Sequence, residues 1–325
     1  MKTLNLEIKN PGPILTELLN SFKNFEGPEQ LYLELPRERK SDAASLPLVL
    51  DAFGVNEQVL PEILQVLGIR SLTLTSAHDL DPIIRISTGL TDYLGDEEVV
   101  RELQDLFRKC RTIAFDDWSK IADASELWPV LLAEVIAPLE NNELEFIFYL
   151  GDPTQKLSFQ VDEALEIISG FSDHGAVTLA LDEDEAIGLW KMMNGIPAQT
   201  AVTDLTHGDL KKKYFSIFRT IGVTHLLIYS RDNAILFSDE QQFVISRKAV
   251  NKSVEIANDA RQNFIAGYSL GFLMGLNLSH CIALGLIIFG SSGENDTAPD
   301  QEMLFGYIEQ WIADLEKPET IYLYQ

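Results

Sequence analysis

The chain has 325 residues, of which 46% are hydrophobic and 23% are charged, and this composition excludes an intrinsically disordered protein. Its 50 acidic and 25 basic residues give a formal net charge of −25 at neutral pH. Because this charge repels phosphate backbones and anionic lipids, we predict no nucleic-acid partner and no membrane partner. An anionic ligand would need positive charge gathered locally around it.

Strand-like and helix-like patterns alternate along the whole sequence. The predicted strands are 30–35, 71–75, 112–115, 145–150, 177–181, 224–229 and 320–324. The predicted helices are 43–53, 60–67, 97–110, 125–139, 161–168, 184–192 and 209–221. Residues 234–237 and 242–245 form a predicted hairpin, which two or three further helices follow. Short apolar runs between amphipathic helices are typical of βαβ units around a mostly parallel sheet.

The sequence carries no sign of a division into domains. No linker rich in Pro, Gly or Ser interrupts it and no repeat is found, so one domain over residues 1–325 is predicted. The first 25 residues are weakly patterned and are predicted to be an arm or a short helix. The two cysteines, Cys110 and Cys281, lie far apart, and residues 1–10 lack a signal-like apolar run. These features favour a reducing, cytoplasmic location.

The segment between residues 262 and 294 contains no charged side chain and admits two interpretations. Gly267, Gly271 and Gly275 have the spacing of small residues in membrane helix pairs. A membrane span, however, needs about 20 apolar residues in one run, and a polar stretch containing Ser279 interrupts this one. We therefore predict two buried helices that pack closely at the glycines, with Ser279 as the N-cap of the second.

Polar residues follow four of the predicted strands at their carboxyl ends. They are Asp116 and Asp117, then Gly151 and Asp152, then residues 182–185, and finally residues 230–232. Ligands of open parallel sheets bind at this edge, and carboxylates there suit a cation or a hydroxyl-rich ligand. The structural alternative is that each Asp caps the helix after it. The common phosphate-loop, dinucleotide, zinc-protease and serine-hydrolase motifs are absent, and no metal site is predicted.

Residues 127–290 resemble the ribokinase-like (PfkB) carbohydrate kinases, most clearly in three segments that occur in the order of that family. Residues 181–186 are similar to its N-x-x-E motif, with Asp182 in the place of Asn and Glu185 as the Glu. Residues 221–234 are similar to its strand and β-turn with T-x-G, and 258–279 to its G-A-G-D signature. The resemblance implies a three-layer α/β/α fold and ATP- and magnesium-dependent phosphorylation of a sugar or nucleoside hydroxyl.

The differences from the family pattern fall on the residues that would carry this chemistry. The resemblance implies that G-A-G-D opens a helix whose backbone N–H groups hold the transferred phosphoryl, with Asp as the base. The same four places here are Asp259, Ala260, Arg261 and Gln262. An amide at Gln262 cannot accept the proton, a loss of about 10²–10⁴ in rate. Asp259 adds negative charge and Arg261 a long side chain where bare backbone donors are needed.

The nucleotide side differs as well, because T-x-G is replaced around Ile228 and Ser230. Asp182 and Glu185, together with Ser230, stay the candidates for contact with a cofactor. We predict a homologue that has lost ordinary phosphorylation, binds ATP and magnesium weakly or not at all, and acts as a binding, regulatory or assembly protein. The alternative is an active sugar or nucleoside kinase with an unusual base, for which Asp259 is the nearest carboxylate. The resemblance leaves homodimerisation open, since the lid strands through which many members pair have no clear match.

Overall fold

The structure is a computed structural model. It describes residues 3–23, 97, 100, 101, 104, 107, 108, 112–115, 118–120, 128–139, 144–200, 207–247, 260–273, 275–292 and 301–316. The predictions for the strands 30–35, 71–75 and 320–324 and for the helices 43–53 and 60–67 lie outside these residues. Asp116, Asp117 and Asp259 lie outside them too.

Seven strands form one sheet in the described part of the chain. They are β1 Glu7–Ile8, β2 Thr112–Phe115, β3 Leu144–Tyr149, β4 Gly175–Asp182, β5 His225–Tyr229, β6 Asn233–Phe237 and β7 Gln242–Ser246. Their order across the sheet is β1-β7-β6-β5-β4-β3-β2. Strands β2 to β5 are parallel, β6 is antiparallel to both neighbours, and β1 is parallel to β7. The mostly parallel sheet and the hairpin are confirmed.

Helices connect and cover the strands. They are α1 Pro11–Lys23, α2 over residues 128–139, α3 Ser158–Gly170, α4 Glu183–Met193, α5 His207–Thr220, α6 Ala260–Leu273, α7 Leu278–Ser292 and α8 Gln301–Glu316. Helix α2 widens to a π-helix over Leu131–Ile136 and ends as a 3₁₀ turn over Ala137–Leu139. Pro138 lies in that turn, and proline disturbs the regular ladder because it has no N–H and crowds the preceding turn.

The described helices lie on both faces of the sheet. Along β3, Phe146 and Phe148 belong to one buried cluster with α2 to α5, whereas Ile147 and Tyr149 belong to a second cluster with α1 and α6 to α8. This alternation is expected because successive side chains of a strand point to opposite faces. Since both faces of the central strands are covered, these strands carry apolar residues on both sides. The predicted three-layer α/β/α architecture is confirmed.

The uncharged segment forms the two helices α6 and α7, which pack closely at glycines. A Cβ added to Gly271 would lie 2.6 Å from the Cα of Cys281, and one added to Gly267 would lie 2.8 Å from the carbonyl oxygen of Leu284. Gly275 has a φ of +69° and ends the first helix, a left-handed conformation that glycine adopts readily. Two buried helices are confirmed. No helix among the described residues is long and apolar enough to cross a membrane.

The N-cap of α7 is Asn277, so the prediction of Ser279 for this role was wrong. The Oδ1 of Asn277 accepts a hydrogen bond from the backbone N–H of His280 at 3.2 Å. Ser279 lies one residue inside the helix, and its hydroxyl donates to the same Oδ1 at 2.7 Å. Asn and Ser are both good capping residues, so composition alone does not distinguish two of them within three positions.

Residues 3–23 contain strand β1 and helix α1, and both pack against the rest of the fold. Strand β1 extends the sheet beside β7, and α1 buries Leu15, Leu18 and Phe22 in the same cluster as α7 and α8. Of the two predicted alternatives, an arm or a short helix, the structure has the helix.

Candidate functional site

The carboxyl ends of β3, β4 and β5 lie together at one edge of the sheet. Tyr149 is the last residue of β3 and pairs with Ala180, while Asp182 ends β4 and pairs with Tyr229 at the end of β5. The polar residues that follow these strands therefore lie along one edge, as predicted. Ligands of parallel α/β sheets bind at this edge, and we define it as the candidate site.

Asp182 and Glu185 form a reciprocal cap at the start of α4. The N–H of Glu185 donates to Asp182 Oδ1 at 2.8 Å, and the N–H of Asp182 donates to Glu185 Oε2 at 2.9 Å. The second carboxylate oxygen of Glu185 accepts the hydroxyl of Tyr149 at 2.8 Å, and Glu185 is only 3% exposed. Both residues therefore have structural roles in holding α4 against β3 and β4.

Asp152 has a capping role as well, after the end of β3. Its carboxylate accepts the N–H of Thr154 at 3.0 Å and the Thr154 hydroxyl at 2.6 Å. Gln155 Nε2 also donates to it at 3.2 Å. The structural alternative predicted for strand-end aspartates is thus the observed one at Asp152 and Asp182. No group of three possible metal ligands occurs among the residues that the structure describes.

The first turn of α6 lies at the same edge of the sheet. Phe264 stacks on Tyr229 at the end of β5, with ring centroids 4.2 Å apart. One turn later, the hydroxyl of Tyr268 lies 3.4 Å from that of Thr178, which pairs with the first residue of β5. The helix thus starts at the carboxyl edge and runs towards the amino edge. Ala260, Arg261 and Gln262 are its first three residues, so the segment that was compared with G-A-G-D forms a helix N-terminus at the edge of the candidate site.

The segment that replaces T-x-G leaves one hydroxyl at the edge. Ile228 and Tyr229 are each 1% exposed and pack in the two opposite buried clusters. Ser230 follows them and is half-buried, and its N–H donates to the carbonyl of Asn233 at 2.7 Å in the turn to β6. Ser230 is therefore the residue of this segment whose polar side chain is at the site.

A basic cluster next to this turn was not predicted from the sequence. Arg247 follows β7 at the carboxyl edge, and its backbone N–H donates to the carbonyl of Asp232 at 2.7 Å. Its guanidinium lies over the ring of Tyr307 from α8, 4.2 Å from the ring centroid, and its Nη1 donates to the Tyr307 hydroxyl. Burial raises the pKa of Tyr307, and Arg247 opposes that rise. Arg231 and Asp232 are close enough to affect the same hydroxyl.

The two ends of the site differ in charge. Near the start of α4, burial raises the pKa of Tyr214, and Glu183, Asp184 and Asp182 raise it further. Burial is the larger cause, and the smaller contribution of the three carboxylates reflects the negative charge at the start of α4. At the β5–β6 turn and the end of β7, the charged residues that act on Tyr307 are Arg231, Asp232 and Arg247.

Comparison with known proteins finds similarity in structure alone. No family model matches the sequence, and no curated protein matches it. Among solved structures the fold is similar to ribokinase-like kinases. Arabidopsis thaliana ribokinase, complexed with ribose and ATP, matches over 66% of this chain and 59% of its own, with 12% identity and a TM-score of 0.43.

Two bacterial kinases show similar values. Adenosine kinase from Sinorhizobium meliloti matches over 64% of this chain and 56% of its own, with 15% identity and a TM-score of 0.43. Ribokinase from Thermotoga maritima matches over 65% of this chain and 59% of its own, with 14% identity and a TM-score of 0.43. The match thus spans less than two thirds of each of these chains. The resemblance noted in the sequence is found again among solved structures.

Proposed function

We propose that the protein is a ribokinase-like homologue that binds a small molecule or a protein partner and has lost ordinary ATP-dependent phosphorylation. The observation that carries this proposal is the position of Gln262 in the first turn of α6, at the carboxyl edge of the sheet. In the alignment to G-A-G-D, this is the place of the base. A neutral amide there cannot remove a proton from a substrate hydroxyl.

The remaining candidate residues support the same proposal. Asp182 and Glu185 cap α4, and both carboxylate oxygens of Glu185 accept hydrogen bonds from within the fold. A carboxylate engaged in this way has less capacity to orient hydrated magnesium, which keeps several waters and needs near-octahedral geometry. The buried Ile228 stands in the place of the Thr of T-x-G, so the hydroxyl of that Thr is absent from the nucleotide side.

A cytoplasmic location and a partner other than nucleic acid or membrane belong to this proposal. The net charge of −25 disfavours both excluded partners. The two widely separated cysteines, Cys110 and Cys281, favour a reducing compartment. Homodimerisation is left open, since the lid strands through which many members of the family pair have no clear match in the sequence.

The deciding experiment is a coupled assay of ATP hydrolysis and phosphoryl transfer across a panel of sugars and nucleosides. We expect no turnover above background for the full chain on any member of the panel. Robust turnover on one of them would contradict the proposal and establish the alternative, an active kinase. In that case Asp259→Asn would test whether the neighbouring carboxylate acts as the base.

A further inference from the structure

Strand β1 lies at one end of the strand order, and among the described residues no strand pairs with its outer side. On its inner side, the N–H of Lys9 donates to the carbonyl of Val244 in β7 at 3.0 Å. The N–H of Asn5 donates to Gln242 Oε1 at 2.9 Å, and Gln242 Nε2 donates to the carbonyl of Thr3 at 3.0 Å. Backbone polar groups of successive strand residues point to opposite sides. The N–H and C=O groups of the even-numbered residues between Thr3 and Lys9 therefore point outward.

The side chains of the same even-numbered residues are apolar. They are Leu4, Leu6 and Ile8, and they share one face of the sheet because strand side chains alternate between the faces. Leu6 packs against the buried cluster that contains α2 to α5, whereas Ile8 is 76% exposed and Leu4 is 38% exposed. An edge strand that combines outward backbone groups with exposed aliphatic side chains is a surface that another strand can cover.

The features that usually protect an edge strand from pairing are weak in β1. Such strands commonly carry proline or a lysine that projects from the edge. Residues 3–9 contain no proline. The ammonium of Lys9 lies over the ring of Phe243 in β7, 4.2 Å from the ring centroid, so this lysine is directed at its own sheet. The outer edge of β1 is therefore open to a further strand.

The charge of this part of the chain also differs from that of the whole. The full chain has a formal net charge of −25. Residues 3–23 carry two acidic side chains, Glu7 and Glu17, and two basic ones, Lys9 and Lys23, so their formal charges cancel. A second copy of the chain therefore meets less repulsion at this edge than the net charge of the protein suggests.

We propose that β1 pairs with β1 of a second copy of this chain, antiparallel about a two-fold axis, so that the two sheets become one continuous sheet. With the axis at Leu6, Leu4 lies opposite the partner's Ile8 and Leu6 lies opposite the partner's Leu6. The outward N–H and C=O groups of these residues then satisfy one another across the axis. Their side chains form cross-strand apolar pairs on one face.

The polar residues of the strand are compatible with the same register. With the axis at Leu6, Glu7 lies opposite the partner's Asn5, and Lys9 lies opposite the partner's Thr3. No like charges face each other across the axis. A two-fold interface requires a surface that is complementary to itself, and residues 3–9 meet this requirement over their whole length. The pattern therefore favours a second copy as the strand that covers this edge.

Neighbouring registers fit less well. An axis at Glu7 would place this carboxylate opposite the partner's Glu7, and like charges directly opposite each other destabilise a strand pair. An axis at Ile8 would leave only residues 6–10 to pair, because α1 begins at Pro11.

This inference goes beyond the proposed function and does not depend on it. The proposed loss of phosphorylation rests on Gln262 at the carboxyl edge of the sheet, whereas the pairing rests on the outer side of β1. A dimer without turnover supports both statements. A dimer with turnover contradicts only the loss of phosphorylation.

Analytical ultracentrifugation of the full chain over a range of concentrations tests the pairing. We expect a reversible equilibrium between monomer and dimer with no larger species, because a two-fold pairing uses both free edges and closes. Added salt should tighten the dimer, since it screens the repulsion between two chains of net charge −25. Ile8→Lys places charge on the apolar face of the pair, and it should weaken the dimer by about tenfold or more.

A second variant tests the backbone directly. Ile8→Pro removes an N–H that points outward, while the hydrogen bond from Lys9 to Val244 on the inner side is kept. We expect this variant to weaken the dimer as well. The matched control is Phe159→Lys in the first turn of α3, because Phe159 is 63% exposed and lies on a helix between β3 and β4. The control should leave the dimer unchanged.

Circular dichroism checks the fold of each variant, and if Ile8→Lys does not fold, Leu4→Lys and Ile8→Pro decide. A protein that stays monomeric at every concentration up to about 1 mM overturns the proposal. A dimer that the folded β1 variants leave unchanged, or that Phe159→Lys weakens equally, overturns it too.

Discussion

The rings of Tyr229 and Phe264 stack face to face, with centroids 4.2 Å apart and planes inclined by 1°. Tyr229 is the last residue of β5 and Phe264 lies in the first turns of α6, so this pair fixes the start of the helix at the carboxyl edge of the sheet. Both rings belong to the buried cluster on that face. An aromatic pair of this kind contributes about 0.5–1.5 kcal/mol beyond its buried area. The position of Gln262 therefore depends on packed core residues.

The first prediction tests whether one residue or the whole helix start accounts for the proposed loss of phosphorylation. Gln262→Asp restores a carboxylate, which would recover about 10²–10⁴ in rate if only the base were missing. We expect no recovery, because Asp259 still repels the developing phosphoryl charge and Arg261 still replaces a glycine at the helix N-terminus. The measurement is phosphoryl transfer from ATP across sugars and nucleosides.

A stronger form of this test rebuilds the whole segment. The triple variant Asp259→Gly, Arg261→Gly, Gln262→Asp gives G-A-G-D around Ala260. We expect phosphoryl transfer by this variant to remain slow as well, since the nucleotide side around Ile228 is unchanged. Turnover that appears in the single Gln262→Asp variant would show instead that the damage is confined to one residue.

The second prediction is weak binding of ATP with magnesium. Ile228 is buried and apolar where a hydroxyl is expected, and the chain carries a net charge of −25. We expect a dissociation constant around millimolar or weaker, which corresponds to a binding free energy of no more than about 4 kcal/mol. Calorimetric titration with and without magnesium measures it. A micromolar constant that requires magnesium would restore the kinase alternative.

The third prediction tests the capping role of Asp182. Asp182→Ala removes the acceptor of the Glu185 N–H and should lower the free energy of unfolding by about 0.5–2 kcal/mol. Asp182→Asn is the matched control, because asparagine caps helices about as well as aspartate. Urea unfolding compares the two. If both variants lose the same stability, the charge of Asp182 and its interaction with the helix dipole outweigh the hydrogen bond.

The sequence predicted the fold well where local pattern decides the structure. The alternation of side chains in β3 and the turn between β6 and β7 depend on residues that are adjacent in sequence, so the sequence pattern predicts them. The contacts of Tyr149 with Glu185 and of Arg247 with Tyr307 join residues 36 and 60 positions apart, and nothing local marks them. The cap at Asn277 was missed for a different reason, since Asn277 and Ser279 are both good capping residues and lie two positions apart.

The fourth prediction concerns the close approach of α6 and α7. Gly271→Ala places a methyl group 2.6 Å from the Cα of Cys281, so the two helices must separate. We expect a loss of about 1–3 kcal/mol in the free energy of unfolding, the usual cost of overpacking. The control is Gly306→Ala in α8, where a methyl group meets no atom within 4 Å. At this exposed helical position the substitution should raise the free energy of unfolding by about 0.5–1 kcal/mol. Equal effects at both sites would contradict the close packing.

The last prediction is a dependence of stability on pH that His225 causes. Burial lowers the pKa of His225 from 6.5 to about 4, and its Nδ1 lies 3.3 Å from the Thr178 hydroxyl. Because the folded pKa is the lower one, the unfolded chain binds the proton more tightly, and stability falls as the pH decreases from 6.5 towards 4. Between about pH 7 and about pH 5 this difference amounts to about 2 kcal/mol. Urea unfolding at both pH values should show this loss reduced in His225→Gln and retained in His174→Gln, a change in the turn after α3. Identical pH dependence in all three proteins would show that carboxylates and not His225 cause it.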